Sequence, residues 1–292
     1  MLRLGIQAVS GGGKTMTSLM IAAVLATPGR RDTGGVGLLD SEKKSAALYF
    51  GRSGLPRWVR DTEFEKIEEP SVGDYIRAIG AMAAAGVEVL VIDSMSHAWF
   101  AALDAVDRGG GWAKVGKSVT PQLRKLINKI LTYPGHVICT MRSDTKHEIS
   151  RDAAGKVTMQ KVGLAPQVRA NTEYEFTVVL DLDRDGNVTV MKSRCGESLP
   201  QDENFRREQL PDLMKGVKAW LSDGEALKPL DQSLLKIKFA DDEATLKLAG
   251  AYIAEQKAAG ALSADDLAQL SAAYVARKTE IANAAIDDVV PE

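Results

Sequence analysis

Three observations indicate an α/β fold with a mostly parallel central sheet. Short apolar runs alternate with helical stretches over the first 141 residues, an order typical of parallel sheets covered by helices. A glycine-rich loop, AVSGGGKT (8–15), joins the first apolar run to the first helical stretch. A later apolar run, VLVID (89–93), ends in an aspartate.

The regular elements are predicted from apolar spacing and from flanking Gly or Pro. Buried strands are predicted over 2–8, 36–40, 87–93 and 135–141, and helices over 15–27, 74–86, 120–134 and 210–223. An exposed hairpin is predicted over 147–162, and a second hairpin over 175–193 with an Asp-Gly turn at 185–186. We expect these strands to extend the sheet in antiparallel fashion.

Composition after about residue 224 changes towards Ala, Leu, Glu and Lys, which indicates a boundary. The predicted domains are a core over 1–224 and, over 225–292, a linker followed by a small C-terminal helical module. That module, with more acidic than basic residues, is predicted either to dock a partner or to act as a stabilising appendage.

Overall charge argues against a generally basic nucleic-acid-binding protein, since the net charge is −2. Residues 108–169 are different, because they carry twelve Lys and Arg against three Asp and Glu. Two cysteines, Cys139 and Cys195, show no CxxC spacing, so free thiols in a reducing, cytoplasmic compartment are expected. We see no signal-peptide pattern and no long uncharged apolar window, and we therefore expect no membrane partner.

The loop at 8–15 matches the phosphate-loop pattern GxxxxGK[ST], except that Ala8 replaces the first glycine. Backbone N–H groups of such a loop hold phosphates, Lys14 reaches the β- and γ-phosphates, and the Thr15 hydroxyl binds Mg²⁺. The first position only starts the turn, so alanine is compatible with binding of ATP and Mg²⁺. The predicted nucleotide-binding residues are Ser10, Gly11, Gly12, Gly13, Lys14, Thr15 and Met16.

Two carboxylates follow later strands. Asp93 ends VLVID and is predicted to lie beside the metal, although a strand that ends in aspartate is common by itself. Glu42 follows LLD (38–40), where a carboxylate is suited to activate the attacking water. The alternative for Glu42 is a solvated surface side chain.

In this order, AVSGGGKT, LLDSEKKSAALY, VLVIDSMSHAW, HVICTMRS and VTVMKSRC resemble the RecA-like ATPase core over about residues 1–222. In detail they resemble the phage ATP-binding proteins of the Sak-type single-strand annealing and recombination group. The resemblance implies ATP hydrolysis at the interfaces of a homo-oligomer, ring or filament, in a phage protein of the bacterial cytoplasm. It implies that Glu42 is the general base and that Thr140 and Arg142 sense the γ-phosphate. By the same resemblance Lys192 and Arg194 act on a neighbouring subunit's nucleotide, the alternative being an exposed, solvated strand face.

The resemblance also places two mobile DNA-binding loops at 108–119 and 142–169, which hold most of the basic residues. Phosphate contacts there would make binding of single-stranded DNA strongly salt-dependent. Trp112 is predicted either to stack on a base or to anchor its loop on the protein. The predicted DNA-binding residues are Arg108, Trp112, Lys114, Lys117, Lys146, Arg151, Lys156, Lys161 and Arg169.

The leading hypothesis is therefore a DNA-binding recombinase or single-strand annealing ATPase. A ring-forming helicase or replication-accessory motor and a nucleotide-dependent scaffold remain open, and a small-molecule kinase is least favoured. The C-terminal module is the expected contact for a single-strand-binding or other recombination protein. His97, Trp99 and His136 are predicted to be packing residues.

Overall fold

The computed structural model describes residues 1–31, 33–43, 45–49, 52, 54–151, 157–168, 172–223, 228–238, 240 and 242–287. For 144–151, 157–166 and 284–287 it describes the backbone alone. The chain divides into two compact units, Met1–Asp223 and Gly224–Glu292.

The first unit contains nine strands and six α-helices among the described residues. The strands are β1 (Arg3–Ala8), β2 (Val36–Asp40), β3 (Trp58–Arg60), β4 (Val89–Asp93), β5 (His136–Arg151), β6 (Val157–Pro166), β7 (Val178–Leu182), β8 (Asn187–Ser193) and β9 (Asn204–Arg206). The helices are α1 (Lys14–Leu25), α2 (Thr62–Glu65), α3 (Val72–Ala84), α4 (Met95–Arg108), α5 (Trp112–Leu131) and α6 (Leu210–Ser222).

The main sheet has the order β3-β2-β4-β5-β1-β7-β8-β9. The six strands from β3 to β7 are parallel, and β8 and β9 add antiparallel pairings at one edge. The chain leaves β1 towards β2 on one side and later returns to pair β7 on the other, so the strand order reverses at β1. In open α/β sheets the crevice at the carboxyl end of such a strand is where ligands bind.

Apolar side chains cover both faces of the sheet, as expected for a buried parallel sheet. On one face Leu4, Leu38 and Val91 pack in the core that includes α1 and α6. On the other face Leu39 and Ile92 pack in the core that includes α3, α4 and α5. The resulting three-layer arrangement has the α/β architecture that the sequence predicted, with a mostly parallel sheet and an antiparallel extension.

Two details of the prediction are wrong. β7 is parallel to β1, because the chain returns to the amino edge of the sheet, where Thr177 N–H donates to the Arg3 carbonyl (2.7 Å), before β7 starts. Helix α5 starts at Trp112 rather than near residue 120, and it contains Pro121. Burial of Val119 and Leu123 on the side facing the core stabilises this longer helix despite the proline.

The two hairpins predicted in this unit are present in the structure. Strands β5 and β6 form an antiparallel hairpin, and β7 and β8 are joined around Asp185 and Gly186. Cys139 and Cys195 are buried free thiols, as expected.

The second unit consists of α7 (Pro229–Lys238), α8 (Glu243–Ala258) and α9 (Ala264–Asp287). Ile237, Leu246 and Leu270 form its small core. A reciprocal capping arrangement precedes α9, because Asp266 N–H donates to Ser263 Oγ (3.1 Å) and Ser263 N–H donates to the Asp266 carboxylate (2.9 Å). None of the described helices in either unit combines the length and the apolar character needed to cross a bilayer.

Candidate nucleotide site

A tight glycine loop connects β1 to α1. Gly12 N–H donates to the Val9 carbonyl (3.1 Å), and a Cβ on Gly12 would lie 2.8 Å from the Cβ of Ala8. Ala8 is fully buried at the end of β1, so it packs against the loop without blocking it. Gly13 has φ +81°, a left-handed conformation that favours glycine. Ala8 is therefore compatible with a closed phosphate loop.

The start of α1 offers backbone donors to an anion. Gly13 is the N-cap and provides no side-chain hydrogen bond to the first turn, so the first N–H groups have no intrahelical partner. Lys14 Nζ donates to the carbonyls of Ala8 (3.1 Å) and Val9 (3.2 Å) across the loop. Burial lowers the pKa of this ammonium, and the charges of Asp93 and Glu42 oppose the effect. Ser10 and Gly11 form the exposed tip of the loop, and Met16 lies in the first turn.

Strand β4 brings Asp93 next to this helix. Thr15 Oγ1 donates to Asp93 Oδ2 (2.5 Å), and Thr140 Oγ1 on the adjacent strand β5 donates to Asp93 Oδ1 (2.5 Å). Burial raises the pKa of the Asp93 carboxyl, while these two hydrogen bonds oppose the rise. Thr140 is fully buried, and its hydroxyl orients Asp93.

The oxygen atoms of Thr15 and Asp93 fit Mg²⁺. This ion prefers hard oxygen ligands, takes one or two protein side chains and completes its shell with phosphate oxygens and water. Within the described residues no three His, Cys, Asp or Glu side chains form a metal-binding group. A metal held by these two side chains and a nucleotide agrees with that chemistry better than a metal held by protein alone.

Glu42 follows β2 and forms an ion pair across the sheet edge. Arg142 donates to both carboxylate oxygens, from Nε (3.0 Å) and Nη2 (2.8 Å), and His97 Nε2 lies 3.8 Å from Oε1. Burial raises the pKa of Glu42, but hydrogen bonding and charge from Arg142, with smaller effects of His97 and Lys14, outweigh it, so the pKa is below its ordinary value. Glu42 is thus a partly buried, ionised carboxylate rather than a solvated surface side chain.

Neighbouring backbone fixes this arrangement. Ser41 Oγ lies 2.8 Å from His97 Nδ1 and accepts from Ser94 N–H (2.9 Å), while Arg142 N–H donates to Ser96 Oγ (2.9 Å). The prediction treated His97 as a packing residue, but its ring links Ser41 to the Glu42 carboxylate. Burial lowers the pKa of His97, and Glu42 opposes this shift. The stretch SMSH (94–97) matches no motif that would have predicted these contacts. They form only because β2 lies beside β4 in the sheet.

Sequence reasoning also missed Arg207, which precedes α6. A Cβ built on Gly13 would lie 2.1 Å from Arg207 Nη1, so the guanidinium is in direct contact with the phosphate loop. No local pattern connects these residues, which are far apart in the chain.

Lys192 and Arg194 do not reach this site in their own chain. Lys192 pairs with Val179, near the amino end of β7, and its ammonium donates to the carbonyl of Tyr174. Arg194 Nη2 donates to the same carbonyl (3.4 Å). Both cations lie towards the amino edge of the sheet, whereas the phosphate loop is at the carboxyl edge.

The predicted DNA-binding loop at 108–119 is mostly helical. Arg108 ends α4, and Trp112, Lys114 and Lys117 lie in the first turns of α5. Trp112 is 44% exposed and stacks on Trp99 (centroids 6.4 Å apart, planes at 27°). A mobile loop is therefore wrong for this segment. Of the other predicted residues, Lys146, Arg151 and Lys161 have only their backbone described, in β5 and β6, and Lys156 and Arg169 lie outside the described residues.

A glycine loop that offers amides to phosphate, a lysine across it, and a hydroxyl and aspartate suited to Mg²⁺ define the class of P-loop nucleotide hydrolases. Residues 2–208 match the family model described as an AAA domain, and the chain belongs to that family. It therefore contains an AAA-type ATPase domain. Among solved structures it is similar to the flagellar accessory protein FlaH from Methanocaldococcus jannaschii, with 11% identity, 70% of this chain and 86% of that chain covered, and a TM-score of 0.37. No curated protein matches.

Proposed function

We propose that this protein is a Mg²⁺-dependent ATPase that couples hydrolysis to binding of single-stranded DNA, in the manner of a recombinase or annealing ATPase that works as a homo-oligomer in the cytoplasm. The observation that carries the proposal is the course of strand β5. It contributes Thr140 and Arg142 to the site and continues without interruption into the hairpin with β6.

For hydrolysis, the Glu42 carboxylate accepts a proton from the water that attacks the γ-phosphorus. The bond between that phosphorus and the β–γ bridging oxygen breaks, and the products are ADP and inorganic phosphate. Lys14 and the α1 amides hold the phosphates. Thr15 and Asp93 would hold Mg²⁺, which would neutralise charge on the phosphates. Thr140 keeps the Asp93 carboxylate oriented throughout.

In this proposal the Arg142 guanidinium can pair either with Glu42 or with the γ-phosphate of ATP. Its guanidinium is 41% exposed and pairs with Glu42. A γ-phosphate carries a higher negative charge and accepts bidentate hydrogen bonds equally well. Transfer of Arg142 from Glu42 to the γ-phosphate would release the base only when ATP is bound. Because Arg142 begins the stretch that leads into the hairpin, this exchange provides a route from nucleotide to DNA.

The DNA surface that we propose includes the outer side of α5. Lys114, Lys117, Arg124 and Lys125 are exposed there, within an arc of about 100° of the helix, and the helix contains no acidic residue. Such a stripe of exposed positive charge is suited to contact with nucleic-acid phosphates. The Trp112 ring at its start adds a surface on which a base can stack.

Salt dependence of DNA binding tests this surface. Replacing Lys114 and Lys117 together with Gln should reduce the slope of log affinity against log salt on single-stranded DNA by about 1.4, since each phosphate contact contributes about 0.7. The matched control replaces Lys66 and Lys215 with Gln, two exposed lysines of other helices or loops. Equal slopes for the two double variants would remove α5 from the DNA surface.

A wild-type protein whose ATP turnover does not respond to DNA would favour the scaffold alternative.

We also propose that Lys192 and Arg194 act on the nucleotide of a second copy, because they lie at the opposite sheet edge from their own loop. Mixing Lys14→Ala with Arg194→Ala subunits should restore part of the ATPase activity, since one composite site would be intact. Activity that stays absent at every mixing ratio would contradict the role in trans.

A further inference from the structure

Arg207 approaches the phosphate loop from the side opposite to Asp93. We propose that its guanidinium binds the α- and β-phosphates of the nucleotide held by its own chain, as a cation in cis that is additional to Lys14. This inference rests on the nucleotide binding proposed above. It assigns a positioning and affinity role to Arg207, separate from the hydrolytic step.

The backbone fixes where the side chain starts. Arg207 N–H donates to the Gly186 carbonyl (2.9 Å) in the turn between β7 and β8, and its neighbour Arg206 pairs with Asn187 in the sheet. Leu210 at the start of α6 is fully buried, so the chain is also held on the other side of Arg207. The side chain therefore projects from a fixed point at the sheet edge.

Two glycines make room for the guanidinium. A Cβ on Gly13 would lie 2.1 Å from Arg207 Nη1 and 3.0 Å from Cζ, and a Cβ on Gly186 would lie 3.0 Å from Nη2. Both glycines have positive φ values. The planar group thus lies between the phosphate loop and the hairpin turn, in contact with backbone on either side.

Among the described residues, none accepts a hydrogen bond from the Arg207 guanidinium. Its Nε is buried without a hydrogen-bond partner, and the described part of the chain gives the side chain no ion pair. A guanidinium carries five N–H donors, and a buried donor without an acceptor is costly. An anion is the ligand that satisfies it, and adjacent phosphates match its planar fork. The free N–H groups at the start of α1 favour an anion in the same place.

Sheet order determines which phosphates are within its reach. Asp93 ends β4 and Glu42 follows β2, both on one side of β1, and Thr15 of α1 donates to Asp93. We assign the γ-phosphate and metal to this side. Arg207 comes from beyond β7 and β8 on the other side of β1. It therefore faces the α- and β-phosphates, which ATP and ADP share, and should stabilise both nucleotides equally.

Calorimetric titration of Arg207→Ala with Mg-ADP, a Mg-bound non-hydrolysable ATP analogue and pyrophosphate tests the assignment. We expect all three affinities to fall about 10- to 100-fold, the range of a charge-assisted hydrogen bond. Arg207→Lys should recover only part of the loss, because an ammonium lacks the bidentate fork. The matched control is Arg184→Ala, an exposed arginine of the same hairpin turn, which should bind within about twofold of wild type.

The possible outcomes distinguish a failure of this inference from a failure of the proposed function. If wild-type protein binds no nucleotide, both the role of Arg207 and the proposed function are wrong. Wild-type binding with an unchanged Arg207→Ala variant would overturn the role of Arg207 alone. If Arg207→Ala binds ADP more weakly but binds pyrophosphate as wild type does, Arg207 contacts the base or ribose. That result would overturn the assignment to the phosphates. If the Ala variant unfolds in a thermal scan, Arg207→Lys decides, and wild-type affinity in that variant would count against bidentate binding.

Discussion

The two flanks of the phosphate loop differ in how their charged groups are satisfied. On the β4–β5 flank, Asp93 accepts hydrogen bonds from Thr15 and Thr140, and Glu42 is paired with Arg142. On the β7–β8 flank, the Nε of Arg207 and the Oδ1 of Asp181 are buried, and no described residue forms a hydrogen bond with either atom.

This difference suggests that the first flank serves ATP hydrolysis and that the second flank serves nucleotide binding. Groups on the first flank are already oriented by the protein when substrate arrives, and the one rearrangement that we propose there is the transfer of Arg142 from Glu42 to the γ-phosphate. A buried polar group without a partner requires an explanation, and a ligand is one such explanation. We therefore expect changes on the first flank to alter the rate of hydrolysis, and changes on the second to alter affinity and stability.

The largest expected effect is that of Glu42→Gln. Loss of the proposed general base should lower the ATP hydrolysis rate about 10²- to 10⁴-fold, while Mg-ATP affinity stays within a few-fold of wild type. Single-turnover hydrolysis and calorimetry measure the two quantities. Glu63→Gln, which changes an exposed glutamate of α2, is the control and should turn over normally. Normal turnover in Glu42→Gln would exclude Glu42 as the base.

The second prediction concerns Gly13→Ala, which lies in the phosphate loop between the two flanks and should lower both stability and nucleotide affinity. Its φ of +81° is unfavourable for alanine, so the free energy of unfolding should fall by about 1–2 kcal/mol, measured in urea. Nucleotide affinity should fall as well, because the added methyl group displaces the Arg207 guanidinium. Gly73→Ala in α3 is the control, since that helical position has space for a methyl group, and alanine should be neutral or stabilising there. Equal stability of Gly13→Ala and wild type would contradict this loop conformation.

The smallest effect is expected for Asp181→Asn. Burial raises the pKa of Asp181 to about 6, with a backbone hydrogen bond to Leu182 opposing the rise. The folded state then binds more protons than the unfolded state between about pH 4 and pH 6, so the contribution of Asp181 to stability falls as the pH rises through this window.

Replacing Asp181 with Asn removes that titration. The variant should be more stable than wild type above pH 6, by less than about 1 kcal/mol because the side chain is partly exposed to solvent, and similar to it below pH 4. Urea unfolding at several pH values measures the difference, and Asp185→Asn controls for the change in net charge. A constant difference across the pH range would show that burial of Asp181 does not control stability.

Local sequence was sufficient for the strands and the glycine loop. Apolar runs such as VLVID and VGLLD have too few residues for a helix and are buried on both faces, so their pattern does not depend on distant residues. The loop motif works similarly, because its strand, glycines and helix are contiguous. These features also allowed the nucleotide-hydrolase class to be predicted before the fold was known.

Predictions that depended on tertiary context were less successful. The start of α5 was placed eight residues late, because Pro121 is a local signal for a helix start, whereas burial of the α5 core face is not a local signal. The direction of β7 depends on where the chain returns after residue 168, which no periodicity reveals. Likewise, His97 was taken for a packing residue because its contacts come from the end of β2.

By itself, the sequence determined that this chain forms an α/β sheet with a phosphate loop, a strand-end aspartate and a locally basic segment, because each of these is encoded by contiguous residues. Only the tertiary structure decided that Arg142 pairs with Glu42, that Thr140 orients Asp93 and that Arg207 lies against Gly13. Strand order and register set these contacts, and both result from packing between segments that are far apart in the chain.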